Sequence, residues 1–85
     1  MNITGNTILI TGGGTGIGRA LAEALHARGN RVIITGRRES PLKAAVDANP
    51  GMAWATLDVG DPPAIRAFAA QVVKDHPALD VVINN

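Results

Sequence analysis

Thr11-Gly12-Gly13-Gly14-Thr15-Gly16-Ile17-Gly18 is the stretch that decides the fold. Ahead of it, Thr7-Ile8-Leu9-Ile10-Thr11 is a short apolar run rich in β-branched residues, which reads as a buried strand. Behind it the period changes: Ile17, Leu21, Ala24, Leu25 and Arg28 fall on one helical stripe. Gly29-Asn30 supplies a stop, with His26 and Arg28 in the last turn, where positive charge suits the helix macrodipole. The glycines therefore sit where a strand hands over to a helix.

At such a junction their tasks follow from geometry. Gly12 permits a tight turn out of the strand, where φ is free to be positive. Gly16 carries no Cβ, so a phosphate can approach the backbone. Gly18 lets the helix lie close to the sheet. The free N–H groups of the first helical turn then face an anion, with the helix dipole behind them and the Thr15 hydroxyl beside them. In a linker the same glycines would serve flexibility alone. Inside a strand–helix–strand unit of roughly 30 residues they favour the phosphates of a nucleotide. A mononucleotide-binding loop is the competitor, since Gly13 and Gly18 have the right separation. Arg19-Ala20 follows, however, where that loop needs Lys and then Ser or Thr.

The rest of the chain repeats the alternation. Val32-Ile33-Ile34-Thr35 is a second strand, uniformly apolar as suits a parallel sheet covered on both faces. Ser40 as N-cap and Pro41 at the first helical position open a second helix with a Leu42, Ala45 and Val46 face, ended by Asn49-Pro50-Gly51. Ala53 to Leu57 is a weaker third strand. Asp61-Pro62 opens a third helix whose stripe is Ile65, Phe68, Ala69, Val72 and Val73, closed by Pro77. Leu79-Asp80-Val81-Val82-Ile83 is a fourth strand running into Asn84-Asn85. The order βαβαβαβ with right-handed crossovers predicts an α/β fold: a Rossmann-type doubly wound parallel sheet of strand order 3-2-1-4, with its crevice at the carboxyl ends of strands 1 and 4. Strand 4 would be a bare apolar edge, which folds normally cover. The expectation is therefore an incomplete, N-terminal half of a single domain, spanning 1–85.

Composition narrows the function classes. The chain has 85 residues, 46% of them hydrophobic, with one Phe, one Trp and no Tyr. A chain so short buries little more than ~60% of its unfolded surface. No Cys is present, so no disulfide compensates and a cytoplasmic setting is the default. A net charge of +1 gives no footprint for nucleic acid or anionic membrane. His26 and His76 lack ligand-spaced partners, so no metal site is expected.

Thr11-Gly12-x-x-x-Gly16-x-Gly18 resembles the TGxxxGxG fingerprint of the short-chain dehydrogenase/reductase family. Leu57-Asp58-Val59 and Leu79-Asp80-Val81-Val82-Ile83-Asn84-Asn85 resemble two further landmarks of that family, the last being the start of its NNAG motif. Within the family the text is most similar to a DltE-like subgroup. The resemblance implies that Gly12, Gly14, Thr15, Gly16 and Ile17 line a pyrophosphate and its ribose. It implies that Asp58 accepts a hydrogen bond from an adenine amino group, with Val59 on the ring. Asn85 would contact the cofactor, and Asn84 would brace neighbouring loops. The alternative for Asp58 is a loop carboxylate that is simply solvated.

The residue ending strand two chooses between a ribose 2′-hydroxyl and a 2′-phosphate. That position is Gly36, followed by Arg37 and Arg38, with no acid to hold a hydroxyl. Two guanidiniums there can grip a phosphate in forked geometry, so NADP(H) is expected over NAD(H). The competing reading is a solvated basic turn. The family's tyrosine, its lysine four residues on and its substrate-orienting serine have no counterparts here; Ser40, Lys43 and Lys74 are placed elsewhere. No catalytic residue can be assigned within 1–85, which alone is expected to be inactive. The first hypothesis is thus the cofactor-binding half of an NADP(H)-dependent oxidoreductase interconverting carbonyls and alcohols, a homo-oligomer when whole. The second is a non-catalytic nucleotide-binding or interaction module.

Overall fold

The computed structural model describes residues 4–85. The chain runs β1 (Thr7–Thr11), α1 (Gly16–Ala27), β2 (Arg31–Gly36), α2 (Glu39–Ala48), β3 (Ala53–Thr56), α3 (Pro62–Asp75) and β4 (Leu79–Asn84). The strands form one parallel sheet in the order β3-β2-β1-β4, as the alternation predicts.

Strand residues alternate between two cores, which is why the middles of β1 (Ile8, Leu9, Ile10) and β2 (Val32, Ile33, Ile34) are apolar at successive positions. Ile8, Ile10, Val32 and Ile34 point to one face, where they meet Ala22 of α1, Leu42 and Ala45 of α2, and Met52. Leu9 and Ile33 point to the other face and pack on Val72 of α3, with Phe68 and Leu79 partly buried beside them. At the start of the sheet the Thr7 N–H donates to the Asp80 carboxylate at 2.9 Å, where the β1–β4 register shifts. Asn30 ties the turn after α1 to β1: its side chain donates to the Leu25 carbonyl at 2.8 Å and accepts the Asn6 N–H at 3.1 Å.

Three details of the sequence reading change. The buried face of α1 is Gly18 and Ala22, flanked by the half-buried Leu21 and Leu25. Ile17 is 82% exposed, and Ala24 and Arg28 are also exposed. The smallest residues make the closest contact, so a stripe of large residues misjudges the face. In α2 the N-cap is Arg38, not Ser40, and no side chain caps the helix. Starting at Glu39 puts an acid in the first turn, favourable to the dipole, and leaves Pro41 among the positions whose N–H has no intrahelical partner anyway. In α3, Asp61 does cap, accepting the Ala64 N–H at 3.4 Å, but Val72 is the one fully buried residue of the stripe. Ile65 and Val73 border an open apolar groove between α3 and β4, opposite the 56%-exposed Val82. No helix of the described residues is long and apolar enough to cross a membrane.

Candidate cofactor site

A cleft of about 240 Å³ opens at the carboxyl ends of β1, β2 and β4, where a doubly wound sheet places its ligand. Its floor is the glycine loop. Gly12 has φ +68°, the left-handed region that favours glycine, and turns the chain out of β1. The Gly13 N–H donates to the Thr35 carbonyl at 3.1 Å, which ties the loop to β2. A Cβ on Gly18 would collide with the Gly12 carbonyl oxygen and lie 2.5 Å from Asn85 Nδ2, so the start of α1 is pressed against both. Gly16 faces open space, with nothing within 4 Å of where its Cβ would be. Thr15 is the N-cap of α1 in extended geometry, and no side chain caps that helix. The first-turn N–H groups therefore remain donors without intrahelical partners.

The end of β4 locks this loop from the other side. The Asn85 side chain donates to the Gly12 carbonyl at 3.1 Å, and its backbone N–H donates to Thr11 Oγ1 at 3.2 Å. Thr11 Oγ1 in turn donates to Asn84 Oδ1 at 3.4 Å. Asn85 thus lines the cleft and braces the glycine loop at once, while Asn84 braces β1.

Of the residues singled out from the sequence, Gly12, Gly14, Thr15, Arg37, Arg38, Val59 and Asn85 line the cleft. Gly18 is buried beneath it, and Gly16 and Ile17 stand exposed at the first turn of α1. Asp58 does not line the cleft. It is exposed, and its carboxylate accepts the Gly60 N–H at 2.9 Å. Arg37 and Arg38 are exposed, and among the described residues the one ion pair is Arg19–Glu23 at 3.6 Å, so both guanidiniums are free of carboxylates. Six wall residues lie outside the binding set expected from the sequence: Thr11, Thr35, Gly36, Pro41, Leu42 and Leu57. Of these, Leu57 carries a readable signal, as the residue just past a strand and the first of the Leu57-Asp58-Val59 landmark. Thr35 is 1% exposed, and its hydroxyl oxygen is buried without a hydrogen-bond partner.

A donor-rich helix start, a glycine floor and two unpaired guanidiniums suit an elongated, multiply anionic ligand. The chain is 42% identical over 85 residues to a Bacillus subtilis (strain 168) protein described as uncharacterized oxidoreductase DltE, covering 100% of this chain and 34% of that one. It is 36% identical over 86 residues to the Escherichia coli (strain K12) 3-oxoacyl-[acyl-carrier-protein] reductase FabG, covering 100% of this chain and 35% of that one. It thus spans about one third of the length of these curated relatives. Among solved structures, a short chain dehydrogenase from Bacillus anthracis superposes with a TM-score of 0.87 at 30% identity, over 99% of this chain and 35% of that one. A second, a short chain dehydrogenase/reductase family protein, gives a TM-score of 0.85 at 35% identity, over 100% of this chain and 35% of that one. The family model for short chain dehydrogenase matches residues 6–85, and the chain belongs to that family.

Proposed function

We propose that residues 1–85 are the dinucleotide-binding portion of a single short-chain dehydrogenase/reductase domain, and that the cleft takes NADP(H) in preference to NAD(H). The observation that carries the preference is the end of β2: Gly36 stands where an acid would hold a ribose 2′-hydroxyl, and the unpaired Arg37 and Arg38 follow it at the rim. Arg38 is also the N-cap of α2, whose first N–H groups no side chain satisfies, so the same spot offers backbone donors to a phosphate.

In this reading the first turn of α1, with Gly14, Thr15, Gly16 and Ile17, holds the pyrophosphate and its ribose. Asp58, released from or sharing its bond to Gly60, accepts from the adenine amino group, and Val59 packs on the ring. Asn85 keeps the glycine loop in place and contacts the dinucleotide from the end of β4. The bound nicotinamide supplies hydride chemistry, and the parent enzyme interconverts a carbonyl and an alcohol. Support for that reaction comes from family membership and from the oxidoreductase and reductase descriptions of the relatives. The reading carries with it a cytoplasmic homo-oligomer, supported by the resemblance to the family.

Dissociation constants for NADPH and NADH, read from the fluorescence of the reduced nicotinamide, test the preference with Arg37→Ala. A lost charge-assisted hydrogen bond is worth about 1.5–3 kcal/mol, so NADPH should weaken by about 10- to 150-fold. NADH should change little. Equal weakening of both would refute the 2′-phosphate assignment.

A further inference from the structure

Leu42 stands between two backbone segments of the cleft. It is the first apolar residue of α2 and is 1% exposed. A Cβ on Gly14 would lie 3.0 Å from Leu42 Cδ2, and a Cβ on Gly36 would lie 3.4 Å from the same atom. One methyl group therefore packs against both Gly14 of the glycine loop and Gly36 at the end of β2, beside the Gly13–Thr35 backbone hydrogen bond that already joins the two segments. From the first segment comes the grip on the pyrophosphate; from the second come Arg37 and Arg38. Leu42 shows the cleft almost no surface, so its effect on binding passes mainly through these neighbours. The start of α2 has no side-chain cap, and Leu42 and Ala45 are its only fully buried residues. The position of Arg38 as N-cap thus depends on how Leu42 seats.

We infer that Leu42 is a positioning residue for cofactor specificity: it sets the spacing between the glycine loop and the Arg37–Arg38 pair, a role that rests on the 2′-phosphate reading above. A 2′-phosphorylated dinucleotide carries two anionic groups at a separation limited by its own covalent frame. Two grips on one ligand reinforce each other only when their spacing matches it; otherwise the second grip is lost. A dinucleotide without the 2′-phosphate uses one grip and is indifferent to the spacing. Trimming Leu42 therefore acts unequally on the two cofactors.

The test is a set of NADPH and NADH titrations on Leu42→Ala, Leu42→Val and Leu42→Met, each first shown to unfold cooperatively above the assay temperature. Leu42→Ala should reduce the NADPH-over-NADH preference on the order of tenfold, mainly by weakening NADPH. Leu42→Val, which removes less and keeps the protein folded if Leu42→Ala does not, should reduce it several-fold. Leu42→Met, close in volume, should keep it. A wild-type protein without preference for NADPH would overturn the 2′-phosphate reading and this role with it. A wild-type preference that survives in Leu42→Val, with both cofactors weakened alike, would overturn the positioning role and leave the 2′-phosphate reading standing.

Discussion

Replacing Gly18 by Ala sets two physical effects against each other inside α1. Gly18 has ordinary helical geometry, with no positive φ to protect. On propensity alone, alanine there should stabilise the helix by about 1 kcal/mol. The added methyl, however, would overlap the Gly12 carbonyl oxygen and lie 2.9 Å from the Gly12 carbonyl carbon, both of them backbone. Overpacking of this kind costs about 1–3 kcal/mol. Moving Asn85 Nδ2 away sacrifices its bond to the Gly12 carbonyl, a further ~1 kcal/mol. The sum is a net loss of about 2 kcal/mol, a large part of the total for a domain of this size. At about 4–8 °C per kcal/mol for 60–100 residues, the melting temperature should fall by about 8–16 °C. Calorimetry or urea denaturation at fixed pH measures it. A Gly18→Ala protein as stable as the parent, or more so, would show that propensity wins and that the contact with the glycine loop is loose.

Two other substitutions read single interactions. Thr35→Val removes a hydroxyl that is buried without a partner, a burden of about 1–3 kcal/mol, so the melting temperature should rise by several degrees; a fall would reveal a partner for that oxygen. Glu23 is held below the usual glutamate range by the hydrogen bond that Asn49 donates at 2.8 Å, with burial opposing and the Arg19 charge assisting. A carboxylate with a lowered folded-state pKa adds stability above its unfolded pKa and loses it as the pH falls through the lowered one. Glu23→Gln keeps an acceptor for Asn49 but cannot titrate. Urea midpoints followed from neutral pH downward should therefore fall less steeply for the variant, and parallel curves would count against the linkage.

Much of this arrangement is legible in the residues because strong local signals coincide with it. The apolar runs Thr7–Thr11 and Val32–Thr35 lie on the two inner strands, β1 and β2, and the glycine cluster falls at the turn between β1 and α1. What escapes is contact made by small residues or by partners far apart in the chain. Gly18 and Ala22 carry the α1 interface, yet they weigh little in any hydrophobic stripe. Ser40-Pro41 imitates a cap-and-proline start, but a proline is tolerated anywhere in the first turn, so the signal places the helix only to within a residue or two. In the site, Gly14, Thr15 and the arginine pair are readable because phosphate chemistry dictates their type. Leu42 and Thr35 are wall residues by virtue of packing, and their types say nothing of a ligand. Asp58 stands at its expected place in the chain while its carboxylate faces Gly60, an orientation that no pattern of letters encodes.

The lock on the glycine loop has a consequence for the order of events in folding. Asn85 and Gly12 are 73 residues apart, whereas the Asn6–Asn30 bond that joins the start of β1 to β2 spans 24. Closing the longer loop costs about 1 kcal/mol more chain entropy in a simple polymer estimate. β1, α1 and β2 can therefore associate first, leaving the glycine loop unlatched until β4 docks beside β1. During synthesis the whole intervening chain must emerge before the latch exists. Whatever slows β4 docking then also delays the appearance of binding competence, so ligand capture is a clock for the arrival of β4.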